Sequence, residues 1–254
     1  MSLTIQYVSD VHLESDVHLE HCVENFTSII DLAQPADVLV LAGDIGCPKD
    51  LNFKDFLIEC KIHFATVLFV PGNHEYFSCY PDALDTTDSL MANLCQECNV
   101  VLLNGTHHQV GNVNFIGSTL WSSIPLSSKD IEILNKRHFR GMNINIHTKF
   151  TVESNNAMFQ QNLMNIKSCI ENNLVNVVIT HHAPYMCTKN YLDATDLTKY
   201  MSNIHTWIYG HTHRNLNACF NGTMVVCNQF ACKKGWLPLA QLQILDQVSF
   251  DLGF

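Results

Sequence analysis

The sequence predicts an α/β protein, and three observations carry that reading. Apolar, β-rich runs alternate with amphipathic stretches through the first hundred residues, the pattern of βαβ units. Five of the apolar runs, spread over the chain, end in a short polar motif. The later part of the chain is richer in hairpin signals, with Gly111-Asn112 and Asn221-Gly222 each set between two β-like segments. A chain of 254 residues can bury a large core, and no linker or low-complexity tract divides it. Residues 1–254 are therefore read as one domain.

The first strand is expected over residues 3–8, followed by Ser9-Asp10-Val11-His12-Leu13-Glu14 and at once by the same six residues, Ser15 to Glu20. Residues 23–32 suit a short amphipathic helix, with Phe26, Ile29 and Ile30 on one side, closed by Pro35. A buried-type strand over 38–41 runs into Ala42-Gly43-Asp44. A helix over 53–62 leads to the strand 66–70 and to Pro71-Gly72-Asn73-His74-Glu75, where proline fixes φ and glycine permits φ > 0, so a turn is expected. A helix over 82–94 and a β-like piece over 100–103 follow. From 121 to 150 the pattern is irregular and polar, with a basic cluster at Lys136, Arg137, His138 and Arg140. Phe159, Leu163, Ile166 and Ile170 fall at i, i+4, i+7 and i+11, which predicts a helix over 152–170. Strands are expected over 175–180, ending in His181-His182, and over 206–209, ending in Gly210-His211-Thr212-His213. Strand-like segments at 239–245 and 248–252 close the chain.

A formal net charge of −10 argues against binding long nucleic acid on a broad basic surface, because phosphate affinity comes from clustered lysine and arginine. It does not exclude a small phosphorylated substrate, since metal ions can supply positive charge locally. No apolar run approaches the ~20 residues that span a bilayer, and no signal peptide is visible at Met1-Ser2-Leu3. A cytoplasmic protein without membrane contact is expected. Its 11 cysteines then read as reduced thiols, and the lone Cys95-Gln96-Glu97-Cys98 has no second pair to complete a zinc site. The 14 histidines equal the total of lysine and arginine, so their placement becomes the main question.

The answer lies at the strand ends. In open α/β sheets the carboxyl ends of the strands are where ligands bind. Five apolar strands finish in groups able to bind a metal: Asp10/His12, Asp44, Asn73/His74, His181 and His211/His213. In an extended segment residues i and i+2 point to one side. Asp10 with His12, and His211 with His213, can then each present two ligand atoms together. His181 and His182 are adjacent and should point apart, so one of them is expected in the site. Alone, each motif is ordinary turn or surface chemistry. Five on successive strands are not coincidence.

Asp10-Val11-His12, Gly43-Asp44, Gly72-Asn73-His74-Glu75, His181 and Gly210-His211-Thr212-His213 resemble the signature of the calcineurin-like metallophosphoesterase superfamily, in chain order and over residues 10–213. The resemblance implies a central β-sandwich flanked by helices, with a dinuclear metal site at the strand ends. It implies Asp10, His12 and His213 on one metal, Asn73, His181 and His211 on the other, and Asp44 bridging them. His74 is implied as the catalytic group that stabilises the transition state or protonates the leaving oxygen; its partner is not readable. Two cations ~3.5–4 Å apart can lower the pKa of a bridging water, whose hydroxide attacks, and clamp the phosphoryl oxygens. Nitrogen and oxygen ligands without thiolate suit manganese, iron, zinc or similar ions, divalent or trivalent.

Departures narrow the substrate. The phosphoprotein phosphatases of the superfamily carry an arginine soon after the Gly-Asp motif. Here Ile45-Gly46-Cys47-Pro48-Lys49 follows, so that branch is disfavoured. Arg214 and the cluster from Lys136 to Arg140 are candidate phosphate contacts, and the remaining histidines are read as surface or packing residues. The leading reading is a metal-dependent phosphomonoesterase or phosphodiesterase acting on a small substrate. The alternatives are a non-catalytic scaffold of the same fold, which would have no chemical need for all these groups, and a metal-dependent nuclease, which the acidic balance disfavours. Of the two hexapeptide copies, Asp10/His12 is preferred over Asp16/His18 because the first strand delivers it directly.

Overall fold

The computed structural model describes residues 2–15, 29–30, 35–125, 127–137, 139, 141–231 and 241–244. In chain order the elements begin with β1 (Leu3–Val8), β2 (Val38–Ala42), α1 (Leu51–His63), β3 (Thr66–Val70), α2 (Asn73–Phe77) and α3 (Leu84–Glu97). Next come β4 (Val101–Leu102), β5 (Thr106–Val110), β6 (Val113–Ser118), α4 (Ser128–Arg137), β7 (Asn143–Asn145), β8 (Thr148–Lys149) and α5 (Val152–Ser168). The series ends with β9 (Val175–Thr180), β10 (Thr206–Tyr209), β11 (Ala218–Phe220), β12 (Thr223–Cys227) and β13 (Gln241–Ile244).

Strands buried on both faces read as continuous apolar runs, and this explains β2, β3, β9 and β10. Val38, Val40 and Ala42 point into one core, Leu39 and Leu41 into another. The first sheet has the order β13-β1-β2-β3-β4, with β1 to β4 parallel and β13 antiparallel at the edge. The second has the order β11-β12-β10-β9-β6-β5, with β12, β10, β9 and β6 parallel and an antiparallel strand on each edge. Ile5, Tyr7, Val40 and Leu68 of the first sheet meet Phe115, Val177, Ile179 and Ile208 of the second in one cluster. The outward faces pack under helices, where α1 contributes Phe53, Phe56 and Leu57 and α5 contributes Phe159, Leu163 and Ile166. The architecture is a β-sandwich flanked by helices.

Several boundaries differ from the sequence reading. Thr151 caps α5 by accepting the Ser154 N–H at 3.3 Å, and the helix ends at Ser168, short of Ile170. Within the stretch read as irregular lies α4, a short helix whose three apolar residues Ile131, Ile133 and Leu134 sit among charged and amide residues. The expected helix over 23–32, the second hexapeptide copy and the segment 248–252 lie outside the described residues, apart from Ser15 and a buried turn at Ile29 and Ile30. The described cysteines are all free thiols. Among the described residues no helix is long and apolar enough to cross a membrane.

Because the central strands of both sheets run parallel, their carboxyl ends gather on one edge of the sandwich. The two sheets meet there: Ser9 N–H donates to the Asn228 carbonyl at 3.1 Å, and Phe230 N–H donates to the Ser9 carbonyl at 2.9 Å.

Candidate metal centre

The loops after β1, β2, β3, β9 and β10 bring all eight singled-out residues to this edge. Asp10, His12, Asp44, Asn73 and His181 are buried, while His74 and His211 are partly exposed and His213 is exposed. The backbone that delivers them is not extended. Asp10 (φ 55°), His12 (φ 53°), Asp44 (φ 52°), His211 (φ 72°) and His213 (φ 49°) all lie in the left-handed region. This conformation costs an L-residue on the order of 1–2 kcal/mol, less for aspartate. The alternation argument for i and i+2 therefore does not apply, and each pair is splayed by its own backbone. His211 and His213 accordingly face different neighbours.

Two groups of side chains result. Asp10, His12 and His213 each place one ligand atom within 4.8 Å of the others, and so do Asp44, His181 and His211. Asp44 stands between them, with Oδ2 3.1 Å from His181 Nε2 and 3.9 Å from His12 Nε2. Asn73 Oδ1 is 3.1 Å from the same His181 nitrogen. His12, Asp44 and His74 form a third group at the same spacing. His181 Nδ1 donates to the Ala42 carbonyl at 3.0 Å and His12 Nδ1 donates to Glu14 Oε1 at 2.9 Å. These bonds turn both Nε2 atoms inward. His12 Nε2 then faces His213 Nε2 at 3.3 Å, and His213 Nε2 lies 3.4 Å from Asp10 Oδ1. Lone-pair nitrogens directed at each other and at carboxylate oxygens need cations or protons between them, so the donor set fits metal ions.

The electrostatics agree. Burial lowers the His12 pKa, but its bond to Glu14 and the fields of Asp44, Glu14 and Asp10 outweigh that and raise it to about 9. Burial likewise opposes protonation of His181, yet Asp44 raises it to about 9. Burial would raise Glu14, but hydrogen bonds from His12 and His74 hold it at about 2. Asp44 lies far below the usual carboxylate range; burial opposes this and His181 outweighs it. Burial, with His182 and His181 beside it, pushes His211 well down. A pocket that draws protons onto buried imidazoles would hold divalent cations by the same field.

Glycines and one further carboxylate make the close approach possible. A Cβ on Gly43 would meet His181 Nδ1 at 2.4 Å, on Gly72 would meet Asp44 Oδ1 at 2.2 Å, and on Gly210 would meet Asp10 Oδ2 at 2.8 Å. Gly72 sits at φ −96°, so it is required for space and not for the positive φ expected of that turn. Glu75, fully buried, accepts the backbone N–H groups of Asp44 (2.9 Å), Ile45 (2.6 Å) and Gly72 (2.7 Å), and so ties the loop after β2 to the loop after β3. Burial and repulsion from Asp44 raise its pKa to about 7.

A cavity of about 330 Å³ opens over this centre, lined also by Phe77, Trp121, Phe139, Asn155 and His182. His182 thus reaches the pocket wall as well, its ring tilted 37° against that of His211 with centroids 4.1 Å apart. Glu14, to which the sequence motif assigns no role, stands beside His74 as its carboxylate partner, with Oε1 3.3 Å from His74 Nδ1. Its signal was position alone, two residues after His12. Lys49 is engaged elsewhere, with Asp82 and the Cys79 carbonyl. Arg214 lines an adjoining groove with Thr212 and Asp193 and not this cavity. Lys136 pairs with Glu132, while His138 and Arg140 lie outside the described residues. Among the other described histidines, His63 pairs with Glu59, His107 and His108 lie on β5, His147 is exposed and His205 meets Thr206 Oγ1.

A family model described as calcineurin-like phosphoesterase matches residues 3–215. An uncharacterised protein of Acanthamoeba polyphaga mimivirus is 30% identical over 97% of this chain and 98% of its own length. Among solved structures, a phosphopantetheinyl hydrolase from Mycobacterium tuberculosis superposes with a TM-score of 0.70 at 18% identity, covering 98% of both chains. A dimetal phosphatase from Danio rerio superposes with a TM-score of 0.50 at 13% identity, covering 96% of this chain and 99% of its own. At these identities the structural likeness speaks for the fold.

Proposed function

Because the chain belongs to the calcineurin-like phosphoesterase family of metal-dependent hydrolases, we propose that it hydrolyses a small phosphomonoester or phosphodiester at two metal ions held on the strand ends. The observation that carries this reading is the pair of ligand groups on either side of Asp44. Asp10, His12 and His213 would hold one ion, Asn73, His181 and His211 the other, and Asp44 would touch both. Bound there, two transition-metal cations would supply Lewis-acid activation of water and neutralise charge on the phosphoryl oxygens. The protein's own part is positioning. Glu14 fixes the His74 ring at Nδ1, which leaves Nε2 as the atom that delivers a proton to the leaving oxygen. Burial lowers the His74 pKa, but Glu14 and Asp44 outweigh it and raise the value, which favours the protonated ring an acid needs. Trp121, Phe77 and Phe139 give the cavity apolar walls beside the polar floor.

The test is hydrolysis of chromogenic mono- and diester substrates by manganese-loaded protein, with metal content measured in parallel. Activity should vanish on exhaustive chelation and return with manganese, at up to two ions per chain. Hydrolysis that survives chelation would overturn the reading.

A further inference from the structure

The cavity over the metal centre does not end at the histidines. Asn190 and Leu192 also line a second hollow of about 320 Å³, close in size to the first, so the two spaces adjoin across these residues. The chemistry changes across that boundary. The first space has carboxylates and imidazoles on its floor, whereas Ile124, Pro125, Ile133 and Leu134 wall the second, with Ser127 and Lys189 as further polar members. Two large side chains at its rim, Ile133 and Tyr191, are 47% and 53% exposed. A concavity lined mostly by apolar side chains with a few polar groups is the usual form of a small-molecule site.

Resting on the phosphoesterase reading, we propose that this hollow receives the alcohol side of the ester, so that the substrate is a phosphate ester carrying an extended, largely apolar arm. The phosphate sits at the strand ends, and the arm crosses Asn190 and Leu192 to lie against Ile133 and Tyr191. A compact ester would leave the second hollow to water. An arm of several carbons would displace that water from apolar surface, which is favourable in proportion to the area covered.

Binding of n-alkylphosphonates, which are not hydrolysed, tests this without turnover. With manganese-loaded protein, affinity should rise about twofold to fourfold per methylene from methyl- to octylphosphonate. Ile133→Asn combined with Tyr191→Ser should bring the ratio of octyl to methyl affinity towards one. Both side chains stand half in water, so the double variant should fold, and its retained affinity for methylphosphonate checks that. A flat series in the parent protein would overturn the proposal, as would a chain-length gain that survives the double substitution. Failure of the phosphoesterase reading looks different, because it would appear as no metal-dependent hydrolysis of any model ester.

Discussion

Glu14 Oε1 stands 3.3 Å from Nδ1 of His74, and the same oxygen accepts from Nδ1 of His12 at 2.9 Å. One carboxylate therefore orients two imidazoles whose rings meet edge to face at 4.6 Å. Replacing Glu14 by Gln keeps the shape and removes the charge that favours a protonated His74. The expected result is a fall in kcat of about 10–100-fold, the usual cost of losing a partner that orients a ligand or acid. KM should change little and metal content at saturating manganese should stay the same. Loss of one full ion at saturation would instead make Glu14 a ligand.

Glu75 predicts a different phenotype. It touches backbone and not the cavity, and its two oxygens serve N–H groups from two loops. In Glu75→Ala those buried donors are left without partners, each at ~1–3 kcal/mol. Stability should fall by roughly 3 kcal/mol or more in urea titration. An unchanged unfolding midpoint would show that water replaces the carboxylate fully.

The fold was open to sequence reading where burial is two-sided. The runs at β2, β3, β9 and β10 are mostly apolar because both faces are covered, and the hairpins at Gly111 and Asn221 carry their own turn chemistry. By contrast α4 was hidden because it is short and mostly polar, with only Ile131, Ile133 and Leu134 to mark its apolar side. In the site, motif positions pointed to the loops that meet but not to how they meet. Five left-handed residues replace the extended geometry that spacing suggested, because φ depends on the closure of each loop against its neighbours. Glu14 and Glu75 differ in the same way: a hydrogen bond to another loop leaves no trace in local pattern.

Asp44 and His74 should separate cleanly in substitution. Asp44→Asn weakens the one group near both ligand sets, so metal content and rate should fall together. His74→Ala should retain metal and lose about 10²–10⁴-fold in rate, the contribution typical of acid–base catalysis. Since His74 lies within ligand distance of His12 and Asp44, metal analysis of the pair is the deciding measurement. Equal metal loss in both variants would make His74 a ligand.

Gly72→Ala isolates the role of space. The backbone there is ordinary for alanine at φ −96°, but the new methyl would meet Asp44 Oδ1 at 2.2 Å. The methyl would also meet the Asp44 backbone nitrogen at 2.5 Å, so Asp44 and its loop must move, and the variant should lose metal like Asp44→Asn and unfold below the parent midpoint. Full metal occupancy in Gly72→Ala would show that the loop after β3 shifts without disturbing the centre.

The duplicated hexapeptide gives the last test. Ser9 to Glu14 and Ser15 to Glu20 are identical, so motif alone cannot say which copy serves the centre. The first copy is anchored at every step. Asp10 N–H donates to the Gly43 carbonyl, His12 N–H to the Asp44 carbonyl and Leu13 N–H to the Ile45 carbonyl, at 2.9–3.0 Å. The Asp10 carboxylate also accepts from His211 N–H at 3.0 Å and Ser9 Oγ at 2.5 Å. Ligands fixed by a strand end hold their geometry better than ligands on a longer loop. A slip by one repeat would have to rebuild all of these bonds with Asp16, His18 and Leu19, six residues further from β1, although six residues can span ~20 Å. Asp10→Ala should therefore lose one ion and nearly all activity, while Asp16→Ala with His18→Ala should keep both ions and the parent rate. An inactive double variant beside an active Asp10→Ala would move the assignment to the second copy.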